Sequence, residues 1–533
     1  RLGSGIRRFL FRAVDAEKMA RWRMTLESSW KKYLSGRRLI ITTFLSTLIL
    51  RSPTIFTGFY NPDETYYATI GQRLLEGCRL YSGIIDHKPP IIYYLYSFFV
   101  LIGGYRSIFV AHAANVIIVS LTAITIYAIV KKLKGNLPLA GISALLYVVC
   151  ASLGKPNDVA AANAELIFNL PLSLHILLAI MALNAESAGK KIFYSFLCGI
   201  AAALAVLVKL HAAIVPVATS IYFIYKLRKD LLSMLRIVPV YLLSLALPFL
   251  LMTIGYYHLG RLNDVWYWMV KVNFLYMAGH DNGAALIIRF LKQTVYMLFL
   301  EGASLWIPII LWSFLREKKE RLFERNGLLI GIWLLASLIA VFPGGRFYGH
   351  YYLQILPPAV IVGAAAGKNL LEKFALYKKW LLLIWTLVII VPLVHSWVWA
   401  LPIDRYREKL EVNEFKTLVE FLKTHTRSNE QIEVWGRFNG VPFLVERKNG
   451  TRFLSKHFLS GSYRGKELVK MPDSHWEMYL GDLKKNRPEW FVDISYINMP
   501  GAPISKFPQL SSYISKNYEK FAEVEDYVIY RRK

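Results

Sequence analysis

The chain has 533 residues, of which 55% are hydrophobic and only 19% are charged, and its mean hydropathy is +0.36. So apolar a composition excludes a protein whose whole surface faces water, and it predicts an integral membrane protein. The net charge of +28 would suggest nucleic-acid binding in a soluble protein, but the basic residues fall mainly in short tracts between apolar runs, which excludes that partner and predicts a membrane topology.

The N-terminal segment, residues 1–38, mixes aromatic and basic side chains, with Trp22 and Trp30 beside Arg21 and Lys31. This mixture is typical of a helix that lies on anionic membrane lipid, and a disordered basic tail is the alternative. The segment lacks a small-residue cleavage site, so we do not interpret it as a signal peptide. We expect it on the cytoplasmic surface.

Long apolar runs follow, each near the roughly 17–25 residues that a spanning helix needs. They predict about eleven spans in an all-α polytopic membrane domain over residues 39–400. The runs lie near 39–59, 108–130, 137–153, 166–183, 192–208, 210–225, 237–256, 295–315, 328–342, 352–366 and 381–400.

A further run from Ile91 to Ile102 is short and follows Pro89 and Pro90, so it could be a span or an interfacial segment. If it is not a span, every strongly basic connection falls on the side of the N-terminus, as the positive-inside rule requires. We therefore expect a multi-pass protein of the plasma (inner) membrane, with its N-terminus cytoplasmic and its C-terminus extracytoplasmic. The outer loops are then 60–107, 154–165, 257–294 and 343–351.

The tail, residues 401–533, is more polar than the rest of the chain. Helix-like stretches at 411–424 and 476–485 alternate with strand-like stretches at 432–435 and 490–494. This alternation predicts a small C-terminal α/β domain outside the membrane.

The first outer loop, 60–107, contains the strongest chemical signal. Adjacent carboxylates at Asp63 and Glu64 follow the first span, and Lys88 comes later in the same loop. Charged side chains next to a membrane are costly to desolvate, so they remain solvated, form ion pairs or take part in binding or catalysis. Asp63 could accept a proton from a hydroxyl, while Lys88 could neutralise a phosphate. Transfer from a sugar phosphate needs one base and one cation that binds the phosphate. The alternative interpretation is a solvated loop without a catalytic role.

This loop also resembles that of a known superfamily. The Asp-Glu pair is followed by Tyr67, Gly77, Tyr81 and Lys88-Pro89-Pro90, which is similar to the GT-C glycosyltransferases of the protein O-mannosyltransferase type. The lipid A aminoarabinose transferases share this plan. The resemblance extends through the acidic second loop to the late His350-Tyr351-Tyr352 segment.

The resemblance implies a GT-C fold and a lipid-phosphate sugar as donor. It also implies Asp63 as catalytic base, with Glu64 beside it in the catalytic pair. Lys88 is implied to hold the lipid phosphate, with Tyr67 as a second contact of the donor phosphate. The aminoarabinose transferases carry a glutamate metal ligand before that lysine, whereas this sequence has His87.

The second and fourth outer loops supply the other candidates. The family places an acidic residue near the site in the second loop, which implies a catalytic role for Glu165, although a helix cap would also explain it. Arg346 can bind a phosphate with two hydrogen bonds, and the glycines around it let the backbone approach a ligand. A tight turn with an arginine at the interface is the alternative. By resemblance, His350 and Tyr351 join Arg346 as donor-phosphate contacts.

A divalent metal ion is the one cofactor that the sequence suggests. His87 with His258 or His280, plus an acidic residue, could form such a site, because imidazole and carboxylate suit zinc. Hydrogen-bonded histidines at the membrane interface are the alternative.

The sequence therefore predicts a membrane glycosyltransferase. The donor is a polyprenyl-phosphate sugar, the acceptor is lipid A or another glycolipid, a polysaccharide or a protein, and membrane lipids surround the enzyme. Reaction at the outer face would proceed by inverting displacement. The alternatives are a lipid-linked sugar transporter or flippase and a non-catalytic envelope-assembly scaffold; few charged residues lie at mid-membrane depth, which disfavours a transporter.

Overall fold

The computed structural model describes residues 36–56, 58–134, 137–154, 156–278, 283–299, 326–373, 390, 394, 415–437, 440–463, 466–467 and 471–533. The expected interfacial segment at 1–35 and much of the predicted spans at 295–315 and 381–400 lie outside these residues. The described helices of the membrane part are α1 Gly36–Ile55, α2 Pro62–Leu75, α3 Ile91–Gly103, α4 Ser107–Lys134, α5 Leu137–Cys150, α6 Ala164–Asn184, α7 Ala188–Val208, α8 Ile214–Leu227, α9 Leu231–His258, α10 Val272–Ala278, α11 Ala284–Phe299, α12 Leu328–Ile339 and α13 Leu356–Lys373.

Several of these segments are long and apolar enough to cross a bilayer. Within the described residues there are five: Ile91–Leu133, Ala164–Asn184, Ala188–Val208, Leu210–Leu227 and Leu231–His258. Two shorter apolar helices, Leu139–Cys150 and Leu328–Ile339, accompany them. The prediction of a helical membrane domain is therefore confirmed.

The first segment, Ile91–Leu133, is divided into two helices. A 3₁₀ turn at Gly104–Arg106 separates α3 from α4, and Gly104 has φ 54°, a value that glycine adopts without strain. Helix α3 has 13 residues. It is about 20 Å long, whereas the apolar core of a bilayer is about 30 Å thick. Helix α3 is therefore shorter than a bilayer core, and the expectation that it does not form a separate span stays a prediction.

Close packing of α7 against α9 depends on a glycine. A Cβ added at Gly199 would lie 2.0 Å from Ser244 Oγ and 2.4 Å from the carbonyl oxygen of Tyr241. Small residues permit such approaches between membrane helices. His175 of α6 bonds to the Cys198 carbonyl of α7 and the Thr219 hydroxyl of α8, which ties three helices together.

The C-terminal domain contains a five-stranded sheet and a separate pair of short strands. The strands of the sheet are β1 Gln431–Trp435, β2 Lys448–Asn449, β5 Trp490–Asp493, β6 Tyr518–Val524 and β7 Tyr527–Arg532, and the separate pair consists of β3 Ser462–Tyr463 and β4 Lys466–Glu467. The order in the sheet is β2-β1-β5-β7-β6; strands β2, β1 and β5 are parallel, while β7 is antiparallel to both β5 and β6. The helices are α14 Lys416–His425, α15 Asp473–Asn486 and α16 Pro508–Asn517. The predicted α/β class is confirmed.

This domain contacts residues 60–107 and 257–294 of the membrane part, the segments that we call the first and third outer loops after their expected topology. The amide of Ile85 donates a hydrogen bond to the carbonyl of Arg452 over 3.2 Å. The Tyr267 hydroxyl lies 2.7 Å from His475 Nε2 in α15. The sheet domain is thereby fixed against the first and third outer loops, next to the candidate residues.

Candidate active site

The site begins at the N-terminus of α2. Asn61 is the N-cap, and its side chain accepts a hydrogen bond from the amide of Asp63 over 3.0 Å. Pro62 occupies the first turn, where its missing N–H is not needed. Because Asp63 lies in this first turn, the positive end of the helix dipole stabilises its carboxylate.

Asp63 is partly exposed and faces two donors. Lys88 Nζ lies 3.7 Å from Asp63 Oδ2, and the Tyr67 hydroxyl donates to the same oxygen over 2.9 Å. The side chain of Asp63 is 36% exposed. Burial opposes ionisation of Asp63, but the charges of Lys88, His350 and Lys209 outweigh it, so its pKa is lowered. An ionised carboxylate is therefore available to a ligand.

Lys88 is held by a second carboxylate, that of Asp86. Its Nζ lies 3.8 Å from Asp86 Oδ2, and Asp86 is 1% exposed. Asp86 also accepts bonds from the Tyr93 hydroxyl and, over 2.8 Å, from His87 Nδ1. Burial lowers the pKa of Lys88, but Asp63 and Asp86 reverse the effect, so the pKa is raised and the amine keeps its charge. Its ammonium lies 4.8 Å from the ring centre of Tyr67.

Glu64 points away from Asp63 and is fully buried. It accepts hydrogen bonds from the amides of Tyr60 and Ala162 and from His112 Nε2, each over 2.7 Å. The other ring nitrogen of His112 faces the carbonyl oxygen of Thr54 at 2.7 Å. Both ring nitrogens of His112 thus have oxygen partners, Glu64 on one side and the Thr54 carbonyl on the other. This placement favours a structural role for Glu64 behind the site.

The second and fourth outer loops meet at Asp158 and His350, whose Oδ1 and Nδ1 lie 3.6 Å apart. A Cβ added at Gly349 would lie 2.0 Å from Asp158 Oδ2, so a larger residue at this position would require the Asp158 carboxylate to move. The Asn163 side chain donates to the Asp158 carbonyl over 2.8 Å and fixes this part of the second loop.

Glu165 is buried at the start of α6 and forms an ion pair with Lys209. His211 Nε2 lies 3.7 Å from the same carboxylate oxygen. Lys209 Nζ also lies 4.3 Å from the ring centre of Tyr351. The interruption of the apolar stretch by Lys209 and His211 thus has a structural reason, since both accompany the buried acid.

The charged groups of these clusters lie close enough to affect one another's pKa values. The pKa of Asp63 responds to His350 and Lys209 as well as to Lys88, and the pKa of Lys88 responds to Glu165. The structure therefore brings together the proposed base and the phosphate-binding candidates.

Arg346 lies in the fourth outer loop and is 5% exposed. The turn around it has positive φ at Gly344, Gly345 and Phe347. Burial lowers the pKa of His457 in the C-terminal domain. The charges of Arg346, Asp86 and Lys88 also act on this pKa. Arg346 thus belongs to the same charged region as Lys88.

The candidate metal ligands do not form a metal centre in the part of the chain that the structure describes. Among those residues, no group of three or more histidine, cysteine or acidic side chains has an arrangement that could hold an ion. His87 Nδ1 is bonded to Asp86, His258 is exposed, and His280 lies outside the described residues. The described residues therefore offer no set of ligands that fits the expected ion, and we derive no step through it.

Three contributors were not singled out as site residues from the sequence. Asp86 lies two residues before Lys88, and this proximity was a usable signal. Arg51 of α1 donates to the carbonyls of Ala151, Val159 and Ala160, and so supports the second loop. His457 approaches from the C-terminal domain.

The chain is similar to known proteins in sequence over part of its length and in fold over most of it. Residues 87–253 match the model of the dolichyl-phosphate-mannose-protein mannosyltransferase family. No curated protein matches the chain in sequence. The structure of ArnT from Cupriavidus metallidurans bound to undecaprenyl phosphate superposes with a TM-score of 0.62 and 13% identity, covering 93% of this chain and 98% of that one. ArnT in the apo state gives 0.55 and 13%, covering 92% and 97%.

The archaeal oligosaccharyltransferase AglB from Archaeoglobus fulgidus, in complex with an inhibitory peptide and a dolichol-phosphate, superposes with a TM-score of 0.51. The identity is 12%, over 93% of this chain and 74% of that one. Identities this low establish the fold alone. The expected resemblance to the GT-C glycosyltransferases is confirmed, because the chain has their fold and its residues 87–253 match the protein mannosyltransferase family.

Proposed function

We propose that this protein transfers a sugar from a polyprenyl-phosphate donor to an acceptor hydroxyl of the cell envelope. The observation that carries the proposal is the position of Lys88, 3.7 Å from the partly exposed Asp63 and 3.8 Å from the buried Asp86. A base and a phosphate-binding cation thus stand side by side at the end of a helix. Structures with this fold bind undecaprenyl phosphate and a dolichol-phosphate, which supports a lipid phosphate as ligand.

The proposed reaction is a single inverting displacement. Asp63 takes the proton from the acceptor hydroxyl, and the acceptor oxygen attacks the anomeric carbon of the sugar. The bond between that carbon and the phosphate oxygen breaks, and polyprenyl phosphate leaves with the electron pair. Lys88 stabilises the charge that develops on this leaving group, so no strong acid is needed.

Other cations complete the phosphate clamp. Arg346 can offer two parallel hydrogen bonds to phosphate oxygens, which a lysine cannot. His350 and Tyr351 lie beside Lys209 and the second loop, where they limit the space for the donor headgroup. Glu64 and Glu165 act by holding His112 and Lys209 in place, and neither is assigned contact with the sugar.

We place the reaction on the outer face of the plasma membrane, with the C-terminal domain on the same side. The support is the alternation of basic tracts with the acidic and aromatic loops. A reporter fused after Lys533 should be active only when it is exported. A fusion that is active only in the cytoplasm would reverse this topology.

The decisive experiment uses purified protein in lipid vesicles with polyprenyl-phosphate hexose or pentose donors and an extracted envelope acceptor fraction. Asp63→Asn should lower turnover by about 10²–10⁴-fold, the usual contribution of a positioned base. Asp264→Asn is the matched control, because Asp264 is a carboxylate of the third loop whose partner is Arg261. Full turnover in Asp63→Asn would refute the mechanism, and movement of intact donor across the vesicle without transfer would favour a transporter.

A further inference from the structure

The C-terminal domain contacts the first outer loop through the segment that leaves the carboxyl end of β2. We call this segment, residues 451–461, the β2 exit loop. In open α/β sheets, ligands bind at the carboxyl ends of parallel strands. Here that edge faces the charged residues of the membrane part. The Ile85 amide bonds to the Arg452 carbonyl, and Ile85 and Phe453 form a parallel bridge.

A buried ion pair anchors the β2 exit loop to strand β1. Lys456 Nζ lies 2.6 Å from Glu433 Oε1, and both side chains are almost completely buried. The Thr451 hydroxyl donates to the same carboxylate over 3.1 Å. Because Glu433 lies on β1, which is paired on both sides with β2 and β5, it couples the loop to the domain core.

A second anchor fixes the start of the loop. The Arg452 guanidinium makes two hydrogen bonds to Asp482 of α15, at 2.8 and 2.9 Å, and the Arg452 amide adds a third at 3.0 Å. A bidentate pair of this kind has little rotational freedom. The loop therefore presents a rigid surface to its neighbours.

The surface of the β2 exit loop contacts His87, the residue next to Lys88. The His87 ring lies edge-to-face against His457 and Phe458, with centroids 6.3 and 5.7 Å away. On the other side, the Asn273 amide group donates to the His87 carbonyl over 2.6 Å. His87 Nδ1 is bonded to Asp86, which also holds Lys88. His87 is thus fixed by the first loop, the third loop and the C-terminal domain.

We propose that His457 is a positioning residue for the lipid-phosphate clamp, and that the docked C-terminal domain sets the position of Lys88 through the His457–His87 contact. A lysine side chain is long and flexible, so its affinity for a phosphate depends on how firmly its own backbone is held. The proposal rests on the proposed function for the identity of the ligand, the phosphate of a polyprenyl carrier.

The test measures binding of polyprenyl phosphate to the full-length protein in lipid vesicles, with inorganic phosphate as competitor and with or without a chelator. His457→Ala should weaken binding by about 10-fold, the loss expected when a clamp is misplaced by a fraction of an ångström. His457→Phe keeps the ring contact and should restore most of the affinity. His425→Ala, at an exposed histidine stacked on Phe421, is the matched control.

A double substitution separates positioning from a general loss of structure. In a His87→Ala background, His457→Ala should cause no further loss of affinity, because the contact through which it acts is already gone. Equal affinity in His457→Ala and the unmodified protein would refute the inference, as would independent losses in the double variant. A loss in His457→Phe as large as in His457→Ala would make His457 a direct phosphate ligand and also refute it. A chelator that weakens binding only while His87 is present would replace it with a metal site.

The binding assay does not depend on sugar transfer. Absence of transfer in the unmodified protein, with the predicted pattern of affinities retained, would remove the proposed function and leave the His457 inference for a carrier-binding protein. If the protein transfers sugar but its affinity for polyprenyl phosphate does not change when His457 is substituted, the proposed function stands and the inference about His457 is refuted.

Discussion

Lys88 Nζ and Asp63 Oδ2 lie 3.7 Å apart, so the proposed clamp and the proposed base form an ion pair before any donor binds. A phosphate that enters the site competes with Asp63 for the same ammonium group. As Lys88 turns toward the phosphate, Asp63 loses the charge that most favours its ionised form and becomes a stronger base. Donor binding would therefore prepare the base for the acceptor, while Asp86 keeps Lys88 in place.

The first prediction concerns the pH dependence of transfer. Burial raises the pKa of Asp63, but Lys88, His350, Lys209 and the Tyr67 hydroxyl together lower it. Asp63 acts as a base only when ionised, so activity is lost as the pH falls through its pKa. The acid limb of kcat/KM, which reports the free enzyme, should lie below the ordinary range for aspartate, about 4. The acid limb of kcat should lie at higher pH.

Lys88→Gln provides the check on this argument. Removing the ammonium group leaves burial less opposed, so the acid limb of kcat/KM should move to higher pH, and turnover should fall because leaving-group stabilisation is lost. Lys271→Gln removes a cation of the third loop that lies over Tyr267 and should leave the profile unchanged. An acid limb that stays in place in Lys88→Gln would show that Asp63 is not the group that titrates.

Sequence patterns predicted the parts of the site that are local in the chain. Asp63 and Lys88 belong to one loop after one apolar run, so composition and resemblance were enough to connect them. The strand-like stretches at 432–435 and 490–494 became neighbouring strands β1 and β5 because their apolar pattern suits a buried parallel pair.

Contacts between distant segments could not be predicted in this way. Glu64 follows Asp63 directly, but successive residues of a helix point in directions about 100° apart, and only the tertiary structure shows that Glu64 faces His112. The approach of His457 to His87 depends on how an entire domain docks. No periodicity in either segment reports that arrangement.

The second prediction separates Glu64 from Asp63. Glu64→Gln would place an amide group against hydrogen-bond donors that now point at a carboxylate, so the protein should lose roughly 1–3 kcal/mol of stability. His112→Ala should have a similar effect, and the double variant should lose much less than the sum. Thermal unfolding in detergent measures all three. A Glu64→Gln protein with normal stability and no turnover would show that Glu64 takes part in the reaction.

The third prediction concerns the buried Glu165–Lys209 pair. Lys209→Met would leave the Glu165 carboxylate buried without its ion-pair partner, with the imidazole of His211 3.7 Å away, at a cost of about 3–5 kcal/mol. Lys209→Met combined with Glu165→Gln should recover much of that stability, because no charge is then left unpaired. Recovery of stability without recovery of donor binding would assign Lys209 to the clamp. If the double variant is as unstable as Lys209→Met, the pair is not what stabilises this region.

The last prediction concerns Arg51, whose guanidinium group donates to the carbonyls of Ala151, Val159 and Ala160 at 2.7–2.9 Å. These carbonyls border the second outer loop, which positions Asp158 against His350. Arg51→Met leaves buried carbonyl groups without their donor and should lower the stability of the protein by at least about 2 kcal/mol. Arg51→Lys can donate to only some of these carbonyls, so its stability should lie between those of Arg51→Met and the unmodified protein.

Hydrogen exchange of residues 151–163 provides the measurement for Arg51. Exchange in this segment should be fastest in Arg51→Met, intermediate in Arg51→Lys and unchanged in Arg37→Met, which alters an exposed arginine of the same helix. Transfer activity should fall in the same order, because the loop carries part of the site without reaching the sugar itself. Loss of activity in Arg51→Met with unchanged exchange would mean that Arg51 acts directly on the ligand, and the scaffold role assigned to it would be wrong.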